Sequence, residues 1–171
     1  MNKRELRQAE RDFWGSLMIS QKPEFWLTFD FLRPYSDRVS IGAMKFGMRA
    51  IQRKVPSRRT LRGVASIERT WKNVRYDGCL HFHGLLWGFD GNVRDPDTYA
   101  YELVHKSLTR LTDDKGRPMV DASTIDLQRV YEPERVADYA TKDIMKGDAG
   151  RSSRQWLIRP DGLDTSTGSF D

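Results

Sequence analysis

The sequence has little of several things. A single cysteine, Cys79, stands in 171 residues, which excludes an internal disulfide framework and a zinc site built on clustered cysteines. No apolar run approaches the roughly 18–20 residues that a helix needs to cross a bilayer. The opening MNKRELRQAERDFWGS is charged throughout and lacks the apolar stretch of a signal peptide. The expectation is a soluble, cytoplasmic protein with no membrane partner. Histidine is scarce: of three in the chain, His81 and His83 stand one residue apart. Acidic residues are nearly missing from residues 33–75, where twelve Lys/Arg meet only Asp37 and Glu68. The chain's net charge is only +5, so the remainder is net negative. A basic block of that kind is the footprint of a polyanion-binding surface, and it equally fits a solvated face rich in arginine.

What is present reads as one α+β domain over residues 25–147. A polar, partly helical extension precedes it (1–24), and a loop and loose tail follow (148–171), of which WLIRP (156–160) can dock back. FWLTFDF (25–31) alternates, with Leu27, Phe29 and Phe31 against Trp26, Thr28 and Asp30, which predicts a half-buried strand. Residues 36–55 place Ile41, Met44, Met48, Ile51 and Val55 at helical spacing, with Lys45, Arg49 and Arg53 on another side. Gly42 and Gly47 weaken that helix without breaking it. Strands are predicted at 63–71, 79–87 and 123–131. A helix is predicted over 94–111, with Asp95 as N-cap, Pro96 in the first turn and a stripe of Tyr101, Val104, Leu108 and Leu111. A last helix spans 132–147 between Pro133 and Gly147. Every strand has one apolar and one polar face. The sheet should therefore be antiparallel or mixed, with helices on one face only, a ferredoxin-like (RRM-like) arrangement with an open face. That face gathers Thr28, Asp30, Ser66, Glu68, His81, His83, Asp126 and Gln128.

Residues i and i+2 of a strand project from the same side, so His81 and His83 point together while Leu80 and Phe82 enter the core. Neutral imidazole is a common ligand of divalent metals. Glu68, on the polar face of the preceding strand, can add a carboxylate, and two histidines with one carboxylate leave positions open for catalysis. Two surface histidines, with Glu68 paired to Arg62, Arg69 or Lys72, remain the plain alternative.

On the last helix, Val136, Ala140 and Ile144 share one arc, and Arg135, Tyr139, Lys142 and Lys146 another. A phenol among cations has its ionised form favoured and can attack a phosphodiester that those cations hold. A metal on His81, His83 and Glu68 would polarise the phosphate. Tyr139 would displace a 3′-oxygen and become joined to the 5′-phosphate, with Lys142 orienting the phenol or neutralising charge. An exposed tyrosine on a basic helix fits the same pattern.

Three ordered motifs, FWLTFDF, HFHG (81–84) and YATKD (139–143), resemble those of the HUH endonuclease domain of rolling-circle replication initiators, the Rep proteins of small plasmids, phages and single-stranded DNA viruses. The resemblance covers about residues 25–147. It implies a metal-dependent nickase that cuts and reseals single-stranded or melted origin DNA, using Mg²⁺ or Mn²⁺ on His81, His83 and Glu68. Tyr139 is then the sole nucleophile, as in the single-tyrosine group, and Lys142 assists it. A host replicative helicase is implied as a further partner, and for a viral protein the nucleus or host-cell interior as the compartment. The tyrosine coming last in the chain favours the replication type over relaxases and transposases. Lys45, Arg49, Arg53, Arg58, Arg59, Arg135 and Lys146 would hold phosphates flanking the nick, and Trp26, Trp71 and Trp87 are candidates for base stacking. Two other readings stay open: a non-catalytic single-stranded nucleic-acid-binding module, and a metal-dependent nuclease that uses water.

Overall fold

A computed structural model of the chain describes residues 2–55, 61–69, 78–89, 94–146 and 152–158. Local sequence explains where its helices begin. The first, α1 (Lys3–Ser20), opens on a capping box: the Asn2 side chain accepts from the backbone N–H groups of Arg4 and Glu5, and Glu5 accepts from the N–H of Asn2. Ser36 caps α2 (Asp37–Gln52), and Asp95 caps α3 (Pro96–Leu108), with Pro96 in the first turn as expected. The bonds that Thr98 donates to Asp95 hold its carboxyl below the ordinary range.

Five strands form one antiparallel sheet: β1 (Phe25–Asp30), β2 (Arg62–Arg69), β3 (Leu80–Trp87), β4 (Asp126–Arg129) and β5 (Ser152–Ile158), in the order β4-β1-β3-β2-β5. Strands β1 and β2 run parallel with β3 between them, antiparallel to both. A short 3₁₀ turn at Ala122–Thr124 leads into β4, so the strand begins later than the predicted 123–131.

Phe25, Leu27 and Phe29 of β1 and Leu80, Phe82 and Leu86 of β3 form the main core with Met44, Met48 and Ile51 of α2 and Val104 and Leu108 of α3. Burying each such side chain is worth about 1.5–3 kcal/mol, and this fixes which way α2 and α3 face. Tyr101, placed in the α3 stripe by the sequence, is 42% exposed. Ala100, Leu103 and Ser107 are buried instead.

The expectation of helices on one face only is corrected. A second cluster joins Met18 of α1 and Ala137 of α4 (Pro133–Lys146) to Leu85 and Trp87 of β3, with Trp14, Ile19, Trp26, Val130 and Val136 packed against it. Leu85 and Trp87 lie on the same side of β3 as His81 and His83. The apolar half of the histidine face is thus roofed by α1 and α4, which the Arg11–Asp138 ion pair ties together. The chain after 147, expected as loop and tail, supplies edge strand β5 against β2. No helix among the described residues is long and apolar enough to cross a membrane.

Candidate functional site

Register builds the site. Across the sheet, Asp30 of β1, His81 of β3 and Glu68 of β2 form one row, and Thr28, His83 and Ser66 the next. Asp126 and Gln128 of β4 stand opposite Thr28 and Trp26. All eight residues expected on one face therefore occupy matching register positions. The side chains of residues 64–69, Glu68 included, lie outside the described residues.

The imidazoles of His81 and His83 are 4.3 Å apart between centroids and nearly perpendicular. His81 Nδ1 lies 2.7 Å from Asp30 Oδ1. A carboxylate only accepts, so in a neutral ring the proton sits on Nδ1 and Nε2 keeps its lone pair, the form a metal requires. Asp30 is itself held at both ends: its N–H donates to Thr124 Oγ1 at 2.9 Å, and its carbonyl accepts from the Asp121 N–H at 3.0 Å. His83 is 4% exposed and stacks on Trp26, centroids 5.3 Å apart and planes 19° from parallel. The His81 side chain is 26% exposed, so it is the imidazole that meets solvent.

Among the described residues no group of three or more His, Cys, Asp or Glu is arranged to hold a metal ion. Those residues fit a divalent ion to the extent of two adjacent imidazoles and a carboxylate that orients one of them. A third ligand would come from Glu68, at the register position opposite His81.

Helix α4 runs unbroken through Tyr139 and Lys142, packs along α1 and touches β2. The side chains of Tyr139, Lys142 and Lys146 lie outside the described residues. The buried positions of α4 include Ala137 and Thr141, and Val136 of the expected arc packs against the same cluster, while the side chains of Ala140 and Ile144 lie outside the described residues. The expected phosphate-holding set divides. Lys45 and Arg49 are on α2 and Arg53 caps its C-terminus; buried Met44, Met48 and Ile51 seat the helix on the sheet face opposite the histidines, so these cations do not flank the imidazoles. Arg58 and Arg59 lie outside the described residues, as does Trp71. Arg135 is on the histidine side, exposed and 3.7 Å from Glu132. Trp26 joins the site, while Trp87 is buried under the helical roof.

Sequence reasoning put Asp30 on the polar face but missed its bond to His81. The alternation of FWLTFDF carried the facing, and only the strand order brings β1 beside β3. Comparison of the chain with protein-family models, with curated proteins and with solved structures finds no match.

Proposed function

We propose that the chain is a single-tyrosine HUH-type endonuclease on a ferredoxin-like core, nicking and rejoining single-stranded or melted origin DNA to initiate rolling-circle replication. The observation that carries this reading is the row Asp30–His81–Glu68 beside His83, with the Asp30 carboxylate bound to His81 Nδ1 at 2.7 Å. The strand order β4-β1-β3-β2 around a split βαβ unit supports the fold. His81, His83 and Glu68 would hold Mg²⁺ or Mn²⁺, which when bound supplies Lewis-acid polarisation of a phosphodiester. Asp30 keeps the His81 proton on Nδ1. The Tyr139 phenolate attacks phosphorus; the P–O3′ bond breaks as the phosphotyrosine bond forms, and the departing 3′-oxygen takes a proton. Lys142, three residues on along α4, neutralises charge that develops on the phosphoryl oxygens. Attack by the 3′-hydroxyl on the phosphotyrosine reverses each bond change and reseals the strand.

The test is a denaturing gel of the protein with a pool of single-stranded oligonucleotides and Mn²⁺. A heat-stable shifted band is expected from the wild type, and none from Tyr139→Phe or from His81→Ala/His83→Ala. Cleavage without an adduct would turn the reading toward a nuclease that uses water. One observation favours a second reading, a non-catalytic single-strand-binding module: His83 is packed face to face on Trp26 as a core ring would be. Strand binding with neither cleavage nor adduct would establish that reading.

A further inference from the structure

We propose that a cavity beside the histidines takes an unpaired nucleobase of the single strand, next to the bond that is cut. The proposal deepens the strand-nicking reading and rests on it for the identity of the ligand. The cavity, about 730 Å³, lies where β1, β4 and the start of α4 meet, and its size falls within the roughly 300–1,000 Å³ of small-ligand sites. Trp26, Val130 and Val136 give it an apolar wall. Trp26 also stacks on His83, so one indole is shared between the cavity and the candidate metal site. At the rim stands Tyr131, 84% exposed, a flat aromatic offered to solvent and suited to stacking on a base. Gln128, level with Trp26 across the β1–β4 pair, brings an amide with both donor and acceptor. Its Nε2 donates to Asp126 Oδ2 at 2.6 Å, which orients the amide.

The charges select a base over a phosphate. Arg135 is answered by Glu132 at 3.7 Å. Arg129 is bound to Asp97, Nε to Oδ1 at 3.0 Å, and lies over the Phe25 ring. Asp138, also lining the cavity, is paired with Arg11. A phosphodiester entering there would find these cations already engaged by carboxylates and would gain little from them. A neutral, planar base meets no such penalty, and it gains stacking and hydrogen bonds. Seated there, it would keep its sugar-phosphate on the histidine side of the sheet.

The experiment measures fluorescence anisotropy of two labelled 12-mers, dT₁₂ and a fully abasic strand, in EDTA so that no cleavage intervenes. Tyr131→Ala and, separately, Gln128→Ala are expected to bind dT₁₂ several-fold to roughly tenfold more weakly than the wild type, the scale of one lost base stack. Both should bind the abasic strand within about twofold of the wild type. Both side chains are at the surface, and far-UV circular dichroism checks that the variants fold. Equal weakening on both strands, no weakening on either, or no strand binding by the wild type overturns the proposal. Displacement by dTMP at the strand's own concentration would also overturn it, in favour of a free nucleotide. The adduct gel separates the two readings. An adduct without base-dependent loss in the variants removes the cavity's role and leaves nicking intact; base-dependent loss without an adduct does the reverse.

Discussion

Asp30 acts on His81 from a backbone pinned by the turn before β4, so its carboxylate costs little to hold in place. Such outer partners of metal-binding histidines fix the ring and its tautomer, and losing one costs about 10–100-fold in metal affinity. Asp30→Ala is expected to weaken Mn²⁺ binding by that factor, and Asp30→Asn, which keeps an accepting oxygen without the charge, by less. Titration calorimetry with Mn²⁺ measures it. Excess Mn²⁺ should restore the adduct yield of Asp30→Ala, a rescue that a folding defect would not show. A second carboxylate acts on stability alone. The Asp113 side chain, 4% exposed, accepts from Arg117 Nε at 2.8 Å, from the N–H groups of Lys115 and Arg117, and from Tyr35 Oη–H at 3.2 Å. The Arg117 guanidinium, foremost among these, holds it well below the usual carboxylate range. Because the folded value is depressed, this stabilisation is present above the ordinary aspartate value and is lost as pH falls through the folded one. Thermal melts should show Asp113→Asn less stable than the wild type at pH 7, with the gap closing as the pH is taken down through the ordinary aspartate value toward 2. A gap that stays constant would refute the ionic origin.

Helix α2 holds two glycines in contrasting surroundings. A Cβ on Gly42 would meet nothing within 4 Å, while one on Gly47 would lie 3.2 Å from Leu108 Cδ2 and 3.3 Å from Leu111 Cδ1. Gly42→Ala should therefore stabilise by about 0.5–1 kcal/mol through helix propensity. Gly47→Leu should destabilise by about 1–3 kcal/mol by forcing α3 outward. Urea midpoints decide both. The same elements mark what was legible in the sequence. Helix α2 and strand β1 carried clean periods, 3.6 and 2, because each buries one face against a large core. Strand β3 alternates only from Leu80 to His83, because Leu85 and Trp87 are buried as well, under α1 and α4. Helix α1 carried no such stripe: Leu6 and Phe13 are exposed, and Met18 is its one fully buried residue. It is placed by α4, a partner more than a hundred residues away. Strand β5 forms at a sheet edge through backbone bonds to β2, which leave little trace in side-chain pattern. His81 and His83 were legible as a pair because i, i+2 spacing is local. The Asp30–His81 bond was not, since it depends on which strand lies beside which.

Over the whole molecule, the sheet separates cations that the sequence reading had grouped as one phosphate-holding set. Lys45 and Arg49 ride on α2, with Arg53 at its C-terminal cap, behind the face opposite His81 and His83, while Arg135 stands on the histidine side. A strand of about three or four nucleotides held at the histidines would not pass round the sheet edge to α2, whereas a forked or longer DNA would. Counterion release makes the distinction measurable, since log affinity falls with log salt by about 0.7 per phosphate contact on single strands. Lys45→Gln/Arg49→Gln/Arg53→Gln should leave the affinity for the short strand within about twofold of the wild type. On a long strand or fork the same variant should bind more weakly at low salt, and its salt slope should be shallower by about 2. Anisotropy titrations between 50 and 300 mM NaCl on both substrates give the answer. A loss on the short strand equal to that on the long one would put α2 within reach of the nick and overturn the two-surface reading. A slope unchanged on both would remove α2 from DNA binding altogether, leaving its cations as solvated surface.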